Sequence, residues 1–133
     1  MASVVTDTHA ALWHLLHPAS LSPAARTSFN SAVSAGDPIY LPSIVLVEVR
    51  YLVEKGKLPG TALERLNREL DFPDSAFVLA PLDLRVARTL GQVVRDSVPD
   101  MPDRIIAATA LSLNLPLVTR DRKIQAAGIQ TIW

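Results

Sequence analysis

Four carboxylates lie at sequence positions that a parallel sheet would bring together. Asp7 follows a short β-favouring run, Glu48 lies early in a predicted helix, Asp103 opens an apolar helix, and Asp121 follows the segment PLVT. In open parallel sheets, ligands bind beyond the carboxyl ends of the strands, at the edge where the following helices begin. We therefore expect these four side chains to face one edge of the sheet.

This arrangement of acidic residues is suited to binding a metal ion. Carboxylate oxygens are the ligands that Mg²⁺ and Mn²⁺ prefer, and these ions retain bound waters. Such a site can activate a water and direct it at a phosphodiester without a Ser, Cys or His nucleophile. Asp100, three residues before Asp103, is a second candidate for the direct ligand. Thr8 and Thr119 are candidates to orient the carboxylates by hydrogen bonds.

Each carboxylate also has a purely structural explanation. Asp7 and Asp103 can cap helices, Asp121 can serve a turn, and Glu48 can lie on an exposed stripe. Apolar residues surround Glu48 in the segment IVLVEV, so a buried Glu48 would need a polar partner. Metal-assisted hydrolysis is the hypothesis that explains all four positions at once.

Composition narrows the class of protein. The 133 residues are 49% hydrophobic and 20% charged, which predicts a single domain over residues 1–133. Thirteen basic residues balance thirteen acidic ones, so a polycationic nucleic-acid binder is excluded. The absence of cysteine excludes disulfides, thiolate zinc sites and cysteine nucleophiles. Aromatic residues make up only 5%, so extensive base stacking is not expected, and Trp13 is assigned to the core or to a subunit interface.

The same sequence predicts where the protein acts. The N-terminal segment lacks the basic region of a secretory signal and carries Asp7 within its apolar stretch. The longest apolar stretch, residues 105–118, is interrupted by Asn114 and Pro116 and is shorter than a membrane helix requires. We expect a cytoplasmic protein without a membrane span.

Strands and helices alternate along the chain. The predicted elements are, in order, a strand at 3–6, helices at 10–16 and 22–36, a strand at 38–41, helices at 43–56 and 61–70, a strand at 76–79, helices at 82–94 and 103–114, and strands at 116–119 and within 129–133. This alternation predicts a three-layer α/β/α fold with a central, mainly parallel sheet flanked by helices.

Four segments of the chain resemble the successive motifs of PIN-domain ribonucleases: VVTDTHAALW, LPSIVLVEV, MPDRIIAATAL and PLVTRDRKI. Their order and spacing match over essentially the whole chain, which is most similar to the short toxins of VapBC toxin–antitoxin modules. The resemblance maps the acidic positions of that family onto Asp7, Glu48, Asp103 and Asp121. His9 departs from the commonest pattern, because many relatives carry Ser or Asn there.

The resemblance implies a PIN-like fold and a function. It implies an endoribonuclease dependent on Mg²⁺ or Mn²⁺ that cleaves cellular RNA of the tRNA or rRNA class and inhibits translation until a cognate antitoxin binds. It also implies a homodimer and an antitoxin segment that reaches the acidic pocket. Four cations beside the acidic positions are then candidates to hold RNA phosphates: Arg104, Arg120, Arg122 and Lys123. A solvated, charge-balanced surface is the alternative for these cations.

Three other functions stay open at this point. A haloacid-dehalogenase-like phosphotransferase would use Asp7 as nucleophile and would need a second aspartate two positions later, where His9 stands. A phospho-acceptor receiver domain shares the outline of the fold. A non-catalytic PIN-like binding module would keep the fold and act through contacts with a partner.

Overall fold

The fold is a parallel sheet with helices around it. The computed structural model describes residues 2–133, in which five strands lie in the order β3-β2-β1-β4-β5 and every neighbouring pair is parallel. The strands are β1 (Val4–Thr6), β2 (Ile39–Pro42), β3 (Phe77–Ala80), β4 (Leu117–Val118) and β5 (Thr131–Ile132), and the helices are α1 (Thr8–Leu16), α2 (Pro23–Ala35), α3 (Ser43–Glu54), α4 (Gly60–Asp71), α5 (Leu84–Thr89), α6 (Met101–Leu113) and α7 (Arg122–Ala126). Helix α2 packs on β1, β2 and β5, whereas α6 packs on β1, α3 and α5. The predicted α/β class is confirmed.

Strand β1 is the centre of the sheet and carries the first acidic residue at its end. Val4, Val5 and Thr6 are all buried, as expected for a strand covered on both faces. Its register pairs Val5 with Tyr40 of β2 on one side and with Leu117 of β4 on the other. Residues that follow β1 and β4 therefore emerge side by side at the carboxyl edge.

Local capping signals explain where α2 begins and ends. The Ser22 hydroxyl accepts a hydrogen bond from the Ala25 amide at 3.0 Å, and Pro23 occupies the first helical position. Gly36 ends the helix with φ of 70°, a left-handed conformation that favours glycine. The helix predicted at 22–36 is confirmed within one residue at each end.

Three segments differ from the prediction, and the first is a 3₁₀ turn, Pro18–Ser20, that follows α1. The helix expected at 82–94 is regular only to Thr89, and a 3₁₀ turn, Leu90–Gln92, follows it. Gly91 is a poor helix former, and the turn offers backbone carbonyls to a side chain from α6. Helix α7 was not predicted, because its five residues are too few to show helical periodicity.

The core lies between the sheet and its helices. The largest fully buried side chains include Phe29 of α2, Ile39 and Leu41 of β2, Leu66 of α4 and Ile106 of α6. Helix α6 is buried continuously from Ile105 to Ala110, as its uniformly apolar sequence predicts. Within residues 2–133, no helix combines the length and the apolar character needed to cross a bilayer.

Candidate active site

A cavity of about 670 Å³ opens at the carboxyl edge of the sheet. It is lined by all four predicted carboxylates and by the secondary candidate: Asp7, Glu48, Asp100, Asp103 and Asp121. These side chains come from the β1–α1 junction, from α3, from the start of α6 and from the β4–α7 junction. The topology thus gathers residues that are far apart in sequence into one acidic pocket.

Asp7 is held from two sides. Its Oδ1 accepts a hydrogen bond from the Ala10 amide at 2.9 Å and so caps α1, and its Oδ2 accepts one from the Thr119 hydroxyl at 2.5 Å. Burial raises the pKa of Asp7, and the hydrogen bonds from Thr119 and Ala10 partly offset that effect. The Thr119 oxygen also accepts a hydrogen bond from the Asp121 amide at 3.0 Å. Thr119 therefore ties the ends of β1 and β4 together.

Glu48 has the polar partner that its apolar sequence context requires. The Thr8 hydroxyl donates to Glu48 Oε1 at 2.6 Å, and Thr8 itself is buried. Burial raises the pKa of Glu48, whereas the Thr8 hydrogen bond lowers it. This bond fixes the carboxylate of α3 against the start of α1.

Asp103 is a third acid of the pocket whose pKa is raised. Burial, followed by repulsion from the carboxylates of Asp100, Asp121 and Glu48, raises its pKa from 3.8 to about 7. Asp100 caps α6, since its Oδ2 accepts a hydrogen bond from the Asp103 amide at 3.4 Å. Asp121 caps α7 in the same way, accepting from the amides of Lys123 and Ile124. Asp100 and Asp121 therefore cap helices and also line the pocket.

The carboxylates and hydroxyls of the pocket fit a hard divalent cation. Among residues 2–133, no three His, Cys, Asp or Glu side chains already form a compact ligand set. Mg²⁺ does not require one, because it is usually held by one or two carboxylates and keeps several waters. The cavity offers oxygen ligands and room for water. Its carboxylates repel one another, and a bound cation would relieve that repulsion. We conclude that the residues fit such an ion.

Removing the Thr119 hydroxyl tests how much the orientation of Asp7 matters. Thr119→Val keeps the shape of the side chain but deletes the hydrogen bonds to Asp7 and from the Asp121 amide. We expect divalent-metal affinity to fall about tenfold to a hundredfold, the usual cost of losing a partner of a metal ligand. Thr119→Ser, which restores the hydroxyl, is the control. Isothermal titration with Mn²⁺ measures the affinity, and equal binding by the Val and Ser variants would contradict the expectation.

Three of the four predicted RNA-binding cations border the pocket: Arg120, Arg122 and Lys123. Arg104 does not line it. Its Nε donates to the Val93 carbonyl at 2.9 Å and its Nη2 donates to the Leu90 carbonyl at 3.2 Å. The structure thus corrects the expectation for Arg104, because its guanidinium holds the 3₁₀ turn after α5 rather than facing the cavity.

This role for Arg104 predicts a loss of stability. Arg104→Ala should lower the free energy of unfolding by about 1.5–3 kcal/mol, because it removes hydrogen bonds from a charged guanidinium, with little effect on RNA binding. Arg122→Ala, which removes an exposed cation of the pocket rim, should show the opposite pattern. Urea unfolding and filter binding measure the two effects. Equal losses of RNA affinity in both variants would return Arg104 to the RNA-binding group.

Four residues that line the pocket were not predicted to belong to the site: His9, Trp13, Val98 and Pro99. His9 and Trp13, four residues apart on α1, both line the cavity beside Asp7. The sequence analysis placed Trp13 in the core or at an interface. The signal that could have found the pair is their spacing after the capping aspartate, since residues four apart share one face of a helix.

Fold and site together define a class of protein: an α/β protein with an acidic, cation-accepting pocket at the carboxyl edge of a parallel sheet. The sequence profile of the PIN domain matches residues 4–129, so the chain belongs to the PIN domain family. Ribonuclease VapC22 of Mycobacterium tuberculosis is 27% identical over 126 residues, which cover 95% of this chain and 92% of that protein. The predicted resemblance to this family is confirmed.

Solved structures share the fold at low sequence identity. VapBC2 from Rickettsia felis, bound to a DNA fragment from its promoter, superposes with a TM-score of 0.71 at 18% identity over 97% of this chain and 96% of that one. FitAcB from Neisseria gonorrhoeae gives 0.62 at 24% identity over 96% and 95%. A toxin–antitoxin complex from Klebsiella pneumoniae gives 0.64 at 21% identity over 98% and 96%. The sheet order and its helices are therefore those of a known architecture.

Proposed function

We propose that this protein is an endoribonuclease dependent on Mg²⁺ or Mn²⁺ and the toxin of a type II toxin–antitoxin system. Its substrate is cellular RNA of the tRNA or rRNA class, and its cleavage in the cytoplasm inhibits translation. Residues 1–133 act as one domain. The observation that carries the proposal is the convergence of carboxylates from four chain segments on one pocket. The similarity to a protein named as a ribonuclease supports the RNA substrate.

The pocket residues divide the work of phosphodiester hydrolysis. Asp7 and Asp103 are proposed to hold the ion, which when bound supplies the positive charge that acidifies water and stabilises the leaving oxygen. Glu48 and Asp121 complete the acidic set and position the attacking water. One oxygen–phosphorus bond forms from water while one ester bond breaks, and the departing ribose oxygen takes up a proton. Thr119 and Thr8 fix the carboxylates of Asp7 and Glu48 by the hydrogen bonds described above.

The rim of the pocket compensates for its negative charge. An RNA backbone approaching five carboxylates meets electrostatic repulsion unless cations offset it. Arg120 and Arg122 are exposed at the rim, beside Lys123. We assign these three side chains to phosphate contacts, which position the RNA without reading its sequence.

A groove next to the pocket supports the proposed protein partners. Glu48 and Asp100 line both the pocket and the groove, whose apolar members Val47, Tyr51 and Met101 are 49%, 59% and 64% exposed. Apolar surface of this kind marks an interaction site. A cognate antitoxin with an apolar segment and a basic side chain would match the groove and the pocket, and a homodimer would cover further apolar surface. One solved relative is a toxin–antitoxin complex.

Metal titration distinguishes the enzyme from a non-catalytic binding module of the same fold. We expect the purified protein to bind Mn²⁺ and Asp7→Asn to bind it at least about tenfold more weakly, because a carboxylate oxygen is replaced by a neutral amide. Asp37→Asn, which changes a carboxylate at the opposite end of the sheet, serves as the control. Mn²⁺ binding that is absent, or equal in all three proteins, would leave only the binding module.

A further inference from the structure

An aromatic and cationic cluster stands on one wall of the acidic pocket. Its members are His9, Trp13, Arg120 and Trp133, called here the Trp13 cluster. The Trp13 ring lies 5.6 Å from the His9 ring and 5.8 Å from the Trp133 ring, between centroids. The Arg120 guanidinium carbon lies 5.0 Å from the centre of the Trp13 ring. Trp13 is therefore the central member that contacts the other three.

The four members differ in exposure. Trp13 and Trp133 are half-buried and pack against the core, whereas His9 and Arg120 are exposed. Contacts between the two tryptophans would be enough to anchor the end of the chain. These contacts do not explain why the exposed side chains of His9 and Arg120 lie against the Trp13 ring and line the cavity. His9 and Arg120 have the surface available for a ligand.

The position of the cluster relates it to the carboxylates. His9, Trp13 and Arg120 line the same cavity as Asp7. Asp7 caps the helix that carries His9 and Trp13, so the backbone positions of Asp7 and Trp13 are about 9 Å apart along the helix axis. Arg120 stands between Thr119 and Asp121 in sequence, at the end of β4. A ligand on the cluster would therefore occupy the same cavity as the acidic centre.

Planar aromatic rings and arginine guanidinium groups are the surfaces on which unpaired nucleobases stack. Building on the proposed function, we propose that His9 and Arg120, supported by Trp13, bind the nucleobase of a nucleotide next to the scissile phosphate. The cluster thereby requires an unpaired base at the cut site and selects single-stranded segments or loops. Arg120 acts through its plane as well as through its charge, unlike Arg122 and Lys123.

Tryptophan fluorescence reports this contact directly, because the chain contains two tryptophans and both belong to the cluster. The experiment uses Asp103→Asn to prevent cleavage, a short single-stranded RNA of mixed sequence with a fluorescein end label, and an abasic ribose–phosphate oligomer of the same length. Fluorescein anisotropy measures binding, and tryptophan emission measures stacking. Trp133→Phe in the same background assigns the signal to Trp13.

The expected result is binding of the RNA with quenched tryptophan emission and binding of the abasic oligomer about tenfold to a hundredfold weaker without quenching. Adding His9→Ala or Arg120→Lys should remove most of the difference between the two oligomers. Arg122→Lys, which replaces a rim arginine by lysine in the same way, should preserve it. Arg120→Lys retains the positive charge, so its effect separates stacking from phosphate attraction.

Two results would overturn the inference. Equal affinity for both oligomers without quenching would show that the cluster only supports the fold, and the proposed nuclease would still stand on its metal and phosphate contacts. Anisotropy that detects no RNA binding by any of the proteins, together with no cleavage by the wild type, would remove the proposed function as well.

Discussion

Replacing Asp103 by asparagine is expected to slow RNA cleavage at least about a hundredfold, because the proposed metal ion would supply several kcal/mol of transition-state stabilisation. The amide keeps the size of the side chain but loses the negative charge. Asp103 lies in the first turn of α6 and faces the pocket with the other carboxylates. The measurement is the single-turnover rate of cleavage of a labelled RNA at saturating Mg²⁺ or Mn²⁺.

Matched variants identify the cause of the loss. Asp83→Asn changes a helix-capping aspartate that lies outside the pocket, where its Oδ1 accepts from the Val86 amide, and should leave the rate unchanged. Asp100→Asn should reduce the rate less than Asp103→Asn if Asp103 is the direct ligand. If Asp103→Asn cleaved RNA at the wild-type rate, the assignment of Asp103 as a metal ligand would be wrong. If Asp100→Asn lost more of the cleavage rate than Asp103→Asn, Asp100 would be the direct ligand instead.

The same substitution is expected to stabilise the metal-free protein. Burial and repulsion from neighbouring carboxylates raise the pKa of Asp103 from 3.8 to about 7. Ionisation of Asp103 therefore destabilises the folded state. This destabilisation is absent below pH 3.8, where Asp103 is protonated in both the folded and the unfolded protein, and it is complete above about pH 7, where Asp103 is ionised in both. Stability due to this group therefore falls as pH rises through that interval, and the uncharged amide of Asp103→Asn escapes the loss.

At about pH 8 without metal, we expect the free energy of unfolding of Asp103→Asn to exceed that of the wild type by about 1–2 kcal/mol. This value allows for screening of Asp103 by solvent and for the loss of a favourable negative charge at the start of α6. Near about pH 5, about a third of that difference should remain. Urea unfolding in EDTA measures both values. His14, whose pKa burial lowers, titrates in both proteins and cancels from the comparison.

Adding Mg²⁺ should reverse the order of stability, because a ligand that binds only the folded state stabilises it by mass action. Mg²⁺ should therefore raise the free energy of unfolding of the wild type more than that of Asp103→Asn. An asparagine variant less stable than the wild type in EDTA at both pH values would show that Asp103 serves the fold rather than the pocket.

The sequence was informative where a residue type has a strong local preference. Ser22, Pro23 and Gly36 predicted both ends of α2, and the turn after β1 predicted the place of Asp7. The apolar neighbours of Glu48 predicted a partner but not its identity. Thr8 fills that role from 40 positions away in sequence, a pairing that depends on how α1 packs against α3.

Other features depended on contacts that no local pattern reveals. Arg104 follows a pocket aspartate in sequence, yet its position on α6 turns its side chain toward the carbonyls of Leu90 and Val93. Helical spacing predicts a core position for Trp13, although this residue also lines the cavity. In both cases tertiary packing decides what the side chain contacts, and spacing along the helix does not reveal it.

The most direct test of the account is to map the ends of cellular RNA fragments produced by the purified protein in Mg²⁺, Mn²⁺ or EDTA. Hydrolysis by a water molecule predicts discrete cuts that require the metal and carry no 2′,3′-cyclic phosphate. Cuts that persist in EDTA and carry that cyclic end would show attack by the ribose hydroxyl instead, without a metal, and would contradict the assignment of the acidic pocket as the active site.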